Sequence, residues 1–263
     1  RVMLKALLFD MGGTLEDVFH RSEFNEGCGK KIQDYLAAQG IRIALSPAAM
    51  MEHIESRNRE YRKWGLEKGI ELSPFELWSQ WLLDGLVSNQ TRLKTVADNL
   101  ANIWERNYYS RSLRQETMVM LEALKKQGVV MGIISNTSCL TQVREILHEY
   151  GIHDFFGCVY LSAVSGCRKP NTELFLAAAA DLGVLPGECI YVGDTVSRDV
   201  RGARLAGYLA SIRINSELTG ISDAGFGTEG EEADYLVAKL SEIPEIVKGI
   251  RGSGDADRKE EKA

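Results

Sequence analysis

The chain has 263 residues, of which 44% are hydrophobic and 26% charged, values typical of a globular protein with one large or two modest domains. Its formal net charge of −6 at pH 7 argues against a nucleic-acid partner and against an anionic membrane surface. No apolar run approaches the ~18 residues that a membrane-spanning helix needs, so we expect no membrane partner. Because Asp10 interrupts the apolar N-terminal run early, we expect no signal peptide.

The cysteine content bears on the cellular compartment. There are five cysteines, an odd number, with no Cys-x-x-Cys spacing, and several lie inside apolar runs. We interpret them as reduced core residues of a cytoplasmic protein rather than as disulfides or zinc ligands. They are Cys28, Cys139, Cys158, Cys167 and Cys189.

The first element is a short apolar run, residues 6–9, which ends at a single carboxylate, Asp10. Four residues are too few for a helix, and an unbroken apolar run of this length fits a strand that is buried on both faces. Gly12 and Gly13 follow, and glycines let the backbone turn sharply and approach a ligand closely. We therefore expect Asp10 to lie exposed at the carboxyl end of a central strand, where open α/β sheets bind ligands.

A helical block follows the first strand. Between residues 16 and 112 the sequence predicts no strand and instead shows apolar residues at helical spacing. Ser46 precedes a proline at a helix start, and Ser73 with Glu76 three residues later indicates a capping box. The predicted helices cover residues 24–39, 47–68, a segment that begins at 73, and 91–108.

All four tryptophans lie in this block. The main interpretation is that they form the core of the block, because several apolar residues share one helix face. The alternative is that some of the rings line a substrate pocket or a subunit contact. They are Trp64, Trp78, Trp81 and Trp104.

From residue 115 onward, strands and helices alternate. The predicted strands cover residues 129–134, 157–161, 189–192, 209–214 and 235–237. The helices between them end at glycines, which favour the left-handed C-terminal cap. This alternation indicates βαβ units and a parallel sheet, whereas the charged and small residues of 251–263 indicate a disordered tail.

Polar side chains lie at or just after the ends of four predicted strands. In chain order they are Asp10; Ser135 and Asn136; Lys169; and Asp194 with Asp199. Because the carboxyl ends of parallel strands meet at one edge, we expect these groups in one crevice. Three carboxylates cannot share a dry site without cations, so the sequence predicts a hard divalent ion, most naturally Mg²⁺. A lysine beside them suits contact with a phosphoryl oxygen, and the whole set fits phosphoryl transfer through an aspartyl-phosphate.

The order of these residues resembles the haloacid dehalogenase-like superfamily of hydrolases. Its four motifs are matched by Asp10 with Thr14 and Leu15, by Ser135-Asn136, by Lys169-Pro170, and by Gly193-Asp194-Thr195-Val196-Ser197-Arg198-Asp199. The helical block is similar to the superfamily's helical cap. The resemblance implies an α/β fold with a Rossmann-like, doubly wound parallel sheet as its core, over residues 1–15 and 113–250. It also implies an inserted all-helical cap over residues 16–112, with hinges near each end.

The same resemblance implies a role for each matching residue. Asp10 attacks the phosphorus atom and carries the phosphoryl group, with Ser135 and Lys169 as further catalytic residues. The residues implied in phosphate binding are Gly13, Thr14, Ser135, the backbone amide of Asn136, and Lys169, which also neutralises charge. The groups implied in Mg²⁺ binding are Asp10, the backbone carbonyl of Gly12, Asp194 and the nearby Asp199.

At one position the chain departs from the superfamily's pattern. Phosphatases of this superfamily usually carry a second aspartate two residues after the nucleophile, which protonates the leaving group and then activates water. Here that residue is Gly12. A positioned general acid/base contributes ~10²–10⁴ in rate, so hydrolysis should be slow or limited to good leaving groups unless another residue substitutes. Glu16, Asp17 and His20 are candidates, although a surface or hinge role is the more ordinary interpretation of each.

Three functions therefore stay open. The first is a Mg²⁺-dependent phosphatase acting on a small phosphorylated metabolite, as a monomer or homodimer. The second is another hydrolase of the superfamily. Dehalogenases also lack the second aspartate, but they are expected to have an aromatic residue there and no Gly-Asp metal motif, and phosphonate hydrolysis would need a cap lysine. The third is a phosphate-binding or regulatory protein that kept the metal site and lost turnover.

Overall fold

A computed structural model describes residues 3–217 and 219–260, to which all structural statements refer. The strands are β1 (Ala6–Phe9), β2 (Glu16–Phe19), β3 (Ser110–Leu113), β4 (Val130–Ser135), β5 (Cys158–Leu161), β6 (Cys189–Gly193), β7 (Ala210–Ile214) and β8 (Tyr235–Val237). The helices are α1 (Phe24–Ala38), α2 (Pro47–Lys68), α3 (Pro74–Leu77), α4 (Gln90–Asn107), α5 (Thr117–Lys126), α6 (Gln142–Glu149), α7 (Ser162–Ser165), α8 (Thr172–Asp181), α9 (Arg201–Leu205), α10 (Thr219–Asp223) and α11 (Ile243–Glu260). Single π-helical turns, Trp78–Leu82 and Val196–Val200, follow α3 and precede α9.

Six of the described strands form one parallel sheet in the order β5-β4-β1-β6-β7-β8. Strand β1 lies at its centre, paired with β4 on one side and β6 on the other. After β1, the chain adds β4 and β5 on one side and then β6, β7 and β8 on the other. This is the Rossmann-like, doubly wound arrangement that the resemblance implies. The predicted strands of this sheet agree with the observed ones to within one residue at either end.

Strand β1 is buried on both faces, as predicted. Leu7 and Phe9 belong to one core with residues of α5, α6 and α11. Ala6 and Leu8 point the other way, into a second core with residues of α8 and α9. Since successive side chains of a strand alternate between faces, four apolar residues in a row serve both cores.

A third hydrophobic core lies within the inserted helices α1 to α4, which we call the cap. The side chain of Ser46 caps α2 by accepting a hydrogen bond from the amide of Ala49, and Ser73 and Glu76 form the predicted capping box at α3. The tryptophans serve this core in the way that the main interpretation expected. Trp78 and Trp104 are buried in it, and Trp64 and Trp81 pack against it half-buried.

The prediction that residues 16–112 contain no strand was wrong. Strands β2 and β3 pair as an antiparallel ribbon, with Glu16 opposite Leu113 and Phe19 opposite Ser110. The ribbon forms where the chain leaves the sheet and where it returns. Its strands lie far apart in sequence and carry charged residues that disfavour strands locally, so long-range pairing rather than local propensity creates them.

The cap also contacts the sheet domain through the loop after α2. Ile70 forms an isolated antiparallel bridge with Cys167. The amide of Glu71 donates to the carbonyl of Gly166 at 3.0 Å, and the amide of Arg168 donates to the carbonyl of Gly69 at 3.0 Å. This bridge therefore joins the cap directly to the loop that carries Lys169.

Helix α11 continues to Glu260, whereas the sequence indicated a disordered tail over residues 251–263. The side chain of Arg251 donates to the carbonyls of Leu4 at 3.0 Å and Gln127 at 2.5 Å, which fixes the helix beyond residue 250. Residues 261–263 of the predicted tail lie outside the described residues.

All five cysteines are buried and free, as predicted. None of the described helices combines the length and apolarity that crossing a membrane requires.

Candidate active site

Asp10 lies at the end of the central strand, but it is only 6% exposed because the cap covers it. The expectation of an exposed carboxylate is therefore corrected to a covered one. Its Oδ1 accepts a hydrogen bond from the amide of Met11 at 2.8 Å and lies 3.0 Å from Nζ of Lys169. Its Oδ2 has no hydrogen-bond partner within residues 3–217 and 219–260. One oxygen of this carboxylate is thus fixed and the other is available.

Lys169 lies beneath Asp10 and is 1% exposed. Its Nζ is 2.7 Å from Oδ1 of Asp199, 2.8 Å from the Tyr191 hydroxyl and 3.0 Å from the carbonyl of Ile134. Two carboxylates thus share one ammonium. Such pairing offsets part of the cost of burying the three charges, and the oxygen of this group that is left without a hydrogen bond to a described residue is Oδ2 of Asp10.

Asn136 fixes the loop on which Lys169 lies. Its Oδ1 accepts a hydrogen bond from the amide of Lys169 at 2.9 Å, and its Nδ2 donates to the carbonyl of the same residue at 3.2 Å. The side chain of the second motif therefore holds the backbone of the third. No local pattern indicates this contact, because it joins residues 33 positions apart in two loops.

Three buried carboxylates converge here. Each of Asp10, Asp194 and Asp199 offers an oxygen atom, and these atoms lie within 4.8 Å of one another. Oδ2 of Asp194 accepts a hydrogen bond from Ser216 at 2.6 Å, whereas its Oδ1 is buried without a partner among the described residues. Both oxygens of Asp199 are engaged, Oδ1 by Lys169 and Oδ2 by the amide and hydroxyl of Thr195.

The crowding of these carboxylates shifts their proton affinities. Burial, followed by repulsion from Asp199 and Asp10, raises the pKa of Asp194 to about 7. Burial also raises the pKa of Asp10, against the opposing effect of Lys169. Burial works to raise the pKa of Asp199 too, but Lys169 and Arg198 outweigh it and hold that pKa below its usual value. Asp10 and Asp194 therefore both favour either a proton or a nearby cation.

These oxygens fit a hard divalent cation. Such ions prefer carboxylate and carbonyl oxygens, and the unpartnered Oδ1 of Asp194 lies in the same cluster as Asp10, whose Oδ2 has no hydrogen-bond partner in the described part of the chain. A bound cation would satisfy this orphaned oxygen and remove the need to protonate Asp194. Asp199 has no such free oxygen, since Lys169 and Thr195 engage both of its atoms.

Close packing and backbone conformation explain why a glycine occupies position 13. Its φ of +83° is unfavourable for residues with a side chain, and a Cβ atom there would lie 2.4 Å from Oδ2 of Asp194. Thr14 is fully buried, and its hydroxyl has no partner among the described residues. Neither residue lines the cavity above Asp10, whereas Ser135 and Asn136 do.

A cavity of about 230 Å³ lies between the end of the sheet and the cap. Asp10, Gly12 and Asp194 line it on the sheet side. This volume suits a small metabolite, because drug-sized ligands occupy pockets of roughly 300–1,000 Å³. The cap contributes polar and aromatic side chains, among them Asn58, Tyr61, Arg62, Trp104, Tyr108 and Tyr109.

A family model described as haloacid dehalogenase-like hydrolase matches residues 4–207. The chain belongs to this family. The match covers the central strand, the cap and all four motifs, and with the six-stranded sheet it confirms the predicted hydrolase family.

Several relatives and solved structures similar to this hydrolase are named phosphatases, and other solved structures of the same fold are named dehalogenases. Glyceraldehyde 3-phosphate phosphatase of Methanopyrus kandleri is 27% identical over 248 residues, which are 94% of this chain and 99% of the relative. Phosphoserine phosphatase of Thermus thermophilus is 35% identical over 114 residues, 43% of this chain and 45% of the relative. The crystal structure of a HAD phosphatase from Thermococcus onnurineus has a TM-score of 0.60 at 25% identity, covering 94% of this chain and 100% of that one.

Gly12 lines the cavity of this hydrolase at the position where the resemblance implies an acid/base aspartate. Its φ lies in the ordinary negative range. A Cβ atom built on it would meet Nη1 of Arg111 at 3.5 Å, the side chain of Val18 at 3.5 Å and Oε1 of Glu16 at 3.8 Å. All three distances are ordinary van der Waals contacts, so the backbone would accept a side chain here.

The three proposed substitutes for that aspartate have different surroundings. Glu16 is fully buried, with Oε1 2.5 Å from Arg111 and Oε2 accepting from Tyr150 at 3.0 Å. The Asp17 side chain is 58% exposed and pairs with an arginine away from the cavity. His20 is the one of the three that lines the cavity, stacked on Tyr108 with a hydrogen bond of 2.8 Å between its Nε2 and an asparagine.

Sequence reasoning missed the arginines of this site. Four line the cavity: Arg62, Arg111, Arg168 and Arg198. Arg111 pairs with Glu16 and Glu105, and Arg168 pairs with Glu71 at 3.0 Å. Arg198 and Arg168 adjoin recognised motif residues, but neither Arg62 nor Arg111 has a local sequence signal.

Proposed function

We propose that this hydrolase is a Mg²⁺-dependent phosphatase that removes the phosphoryl group from a small phosphate monoester through an aspartyl-phosphate on Asp10. The observation that carries this proposal is the asymmetry of the Asp10 carboxylate. Its Oδ1 is held by Lys169 and the amide of Met11, whereas Oδ2 has no hydrogen bond within the described chain and the residue lines the cavity. An oriented, ionised carboxylate with one available oxygen is suited to act as a nucleophile. The names of the relatives support the same reaction class.

In the first step, Oδ2 of Asp10 forms a bond to phosphorus while the bond from phosphorus to the ester oxygen breaks, and the leaving oxygen takes a proton. In the second step, water attacks the same phosphorus atom, which releases inorganic phosphate and restores the carboxylate. Ser135 and the backbone amide of Asn136 are proposed to donate hydrogen bonds to the phosphoryl oxygens, since both residues line the cavity with Asp10. Because Gly12 offers no acid, the proton comes from water, and esters with good leaving groups react faster.

We further propose that Asp10, Asp194 and the carbonyl of Gly12 hold the Mg²⁺ ion. When bound, the ion neutralises charge on the phosphoryl oxygens. Lys169 is proposed to keep Asp10 ionised and oriented from below, and Asp199 to hold Lys169 through their contact of 2.7 Å. Gly13 is proposed to permit the approach of Asp194, in place of the phosphate-binding role that the resemblance implied.

The cap is proposed to comprise residues 16–112, with its boundaries in the β2–β3 ribbon, and to close over substrate as a unit. A separate hydrophobic core within these helices supports this division. Five buried, free cysteines support the further proposal that the protein works in the cytoplasm. We also propose that it acts as a monomer or homodimer.

Hydrolysis of an aryl phosphate with and without Mg²⁺ tests the proposed function. We expect turnover that chelation abolishes and that Asp10→Asn lowers by at least about 10³-fold. Asp17→Asn is the matched control, because it makes the same chemical change on an exposed carboxylate outside the cavity. Equal turnover in Asp10→Asn would contradict the proposal. Chloride release from a haloacid, or phosphate binding without turnover, would favour the alternative functions.

A further inference from the structure

Arg62 is a cation without a counterion in the cavity. It lies on α2 in the cap and lines the cavity opposite the end of the sheet. Within residues 3–217 and 219–260 it makes no hydrogen bond and no ion pair. The other cavity arginines differ, since Arg111 and Arg168 each contact a buried glutamate and Arg198 contacts Thr195 and lies near the three aspartates.

The electrostatic surroundings of Arg62 make this isolation costly. Burial lowers the pKa of its guanidinium, and Arg198 and Arg168 lower it further, against the opposing effects of Tyr109 and Glu105. A guanidinium does not lose its proton in proteins, so the group stays charged. Arg62 is half-buried, and a partly desolvated charge without a partner is unfavourable, so an anion placed beside it would form strong, charge-assisted hydrogen bonds.

Two further donors of the cap line the same cavity without partners. Asn58 precedes Arg62 by four residues on α2, so the two side chains share one face of the helix. The amide of Asn58 and the hydroxyl of Tyr109 make no hydrogen bond to any described residue, and both residues line the cavity. The cap therefore presents an amide, a guanidinium and a phenol to the small volume above Asp10, and none of the three is hydrogen-bonded to a described residue.

The sheet domain and the cap thus contribute different chemistry to the cavity. The sheet domain contributes Asp10 and Asp194, where the phosphoryl group is proposed to react. We propose that Arg62, assisted by Asn58 and Tyr109, binds a second anionic group of the substrate. The preferred substrates are then small phosphate monoesters that also carry a carboxylate or a second phosphoryl group. This inference rests on the proposed phosphatase function and specifies its substrate class.

Non-hydrolysable phosphonates test the inference by binding alone. We would measure dissociation constants in the presence of Mg²⁺ for phosphonoacetate, 3-phosphonopropionate and 4-phosphonobutyrate, for their neutral carboxamides, and for the bisphosphonates of matching length. At least one anionic ligand should bind about tenfold more tightly than its carboxamide, since a charge-assisted pair contributes that much or more. Whether the carboxylate or the bisphosphonate series shows the larger preference identifies the second anion.

Variants of α2 locate the effect. Arg62→Gln should reduce the preference for the anionic ligand to about twofold or less, and Arg62→Lys should leave an intermediate preference because it keeps the charge but loses the planar fork. Arg59→Gln is the matched control, since Arg59 is exposed on the same helix and does not line the cavity. A thermal melt checks that each variant is folded. If Arg62→Gln is not folded, the ligand preference of Arg62→Lys is compared with that of the wild-type protein instead.

The outcomes separate this inference from the proposed function. If the wild-type protein hydrolyses an aryl phosphate but binds anionic ligands and carboxamides equally, the second anion site is refuted and the phosphatase function stands. A preference that survives in Arg62→Gln also refutes the site. If the preference exists and depends on Arg62 while no phosphate ester is hydrolysed, the site is supported and the phosphatase function fails.

Discussion

Nζ of Lys169 lies 2.7 Å from Oδ1 of Asp199, and both side chains are 1% exposed. Asp199 thereby fixes the ammonium that contacts Asp10. We predict that Asp199→Asn lowers the free energy of unfolding by about 3–5 kcal/mol, because it breaks a buried ion pair, and lowers kcat more than it raises KM. Urea unfolding and aryl phosphate kinetics measure the two effects. Thr195→Val is the control, since it leaves the ion pair intact and removes two hydrogen bonds of the hydroxyl, one to Asp199 and one from Arg198, at a cost of about 2 kcal/mol.

Gly12 offers room for the acid that the chain lacks. We predict that Gly12→Asp raises kcat for alkyl phosphates by about 10²-fold and raises it much less for aryl phosphates, whose leaving groups need no proton. Gly12→Asn has nearly the same size but supplies no proton, so it should not reproduce the gain. An equal gain from both variants would show that packing against Arg111, rather than proton transfer, limits the rate.

The raised pKa of Asp194 links metal binding to pH. Its value of about 7 lies above the usual 3.8, so between these values the metal-free folded protein holds a proton that the unfolded chain does not. The free energy of unfolding of the metal-free protein should therefore fall as pH rises through this window. Mg²⁺ must displace the same proton, so its affinity should fall about tenfold per pH unit below about pH 7.

Thermal melts with and without Mg²⁺ check this linkage. The increase in Tm on adding Mg²⁺ should be large at about pH 8 and nearly absent at about pH 5. In Asp194→Asn the increase should be absent at every pH. A Tm increase that is independent of pH in the wild-type protein would place the ion away from Asp194.

Glu71 fastens the cap to the sheet domain through buried contacts. Its carboxylate accepts hydrogen bonds from Ser162 at 2.7 Å, from Arg168 at 3.0 Å and from the hydroxyl of Tyr61. We predict that Glu71→Gln destabilises the protein by about 3 kcal/mol and speeds amide hydrogen exchange at residues 69–72 and 165–168. Tyr61→Phe removes two hydrogen bonds, the one that the hydroxyl donates to Glu71 and the one that it accepts from the amide of Leu72, and should cost about 2 kcal/mol. Unchanged exchange in Glu71→Gln would mean that the backbone bridge alone holds the cap.

The sheet side of the site was predictable because strand ends converge. Asp10 and Asp194 end adjacent strands of one parallel sheet, and Lys169 comes soon after a third, so the order of elements alone was enough to bring them together. The phosphate-binding role of Thr14 rests on the resemblance alone and stays a prediction, since its hydroxyl is fully buried and the residue is not among those that line the cavity.

The cap side of the site was not predictable from periodicity. The apolar spacing of α2 indicates which face packs inside the cap, but not which sheet residues the opposite face meets. The position of Arg62 in the cavity therefore could not be predicted from the sequence. Glu71 and Arg168 pair across 97 residues, and Glu16 and Arg111 across 95. The first pair joins the cap to the sheet domain and the second joins the two strands of the ribbon, and no local pattern encodes either long-range contact.

The bridge between Ile70 and Cys167 has a consequence for the timing of turnover. Lys169 follows Cys167 by two residues, so the cap is joined to the backbone segment that positions the Lys169 ammonium beside Asp10. Any departure of the cap from the sheet must either break this bridge or pull that backbone with it. Opening of the cap to admit substrate would therefore be coupled to the position of Lys169, and through it to the orientation of the proposed nucleophile, Asp10.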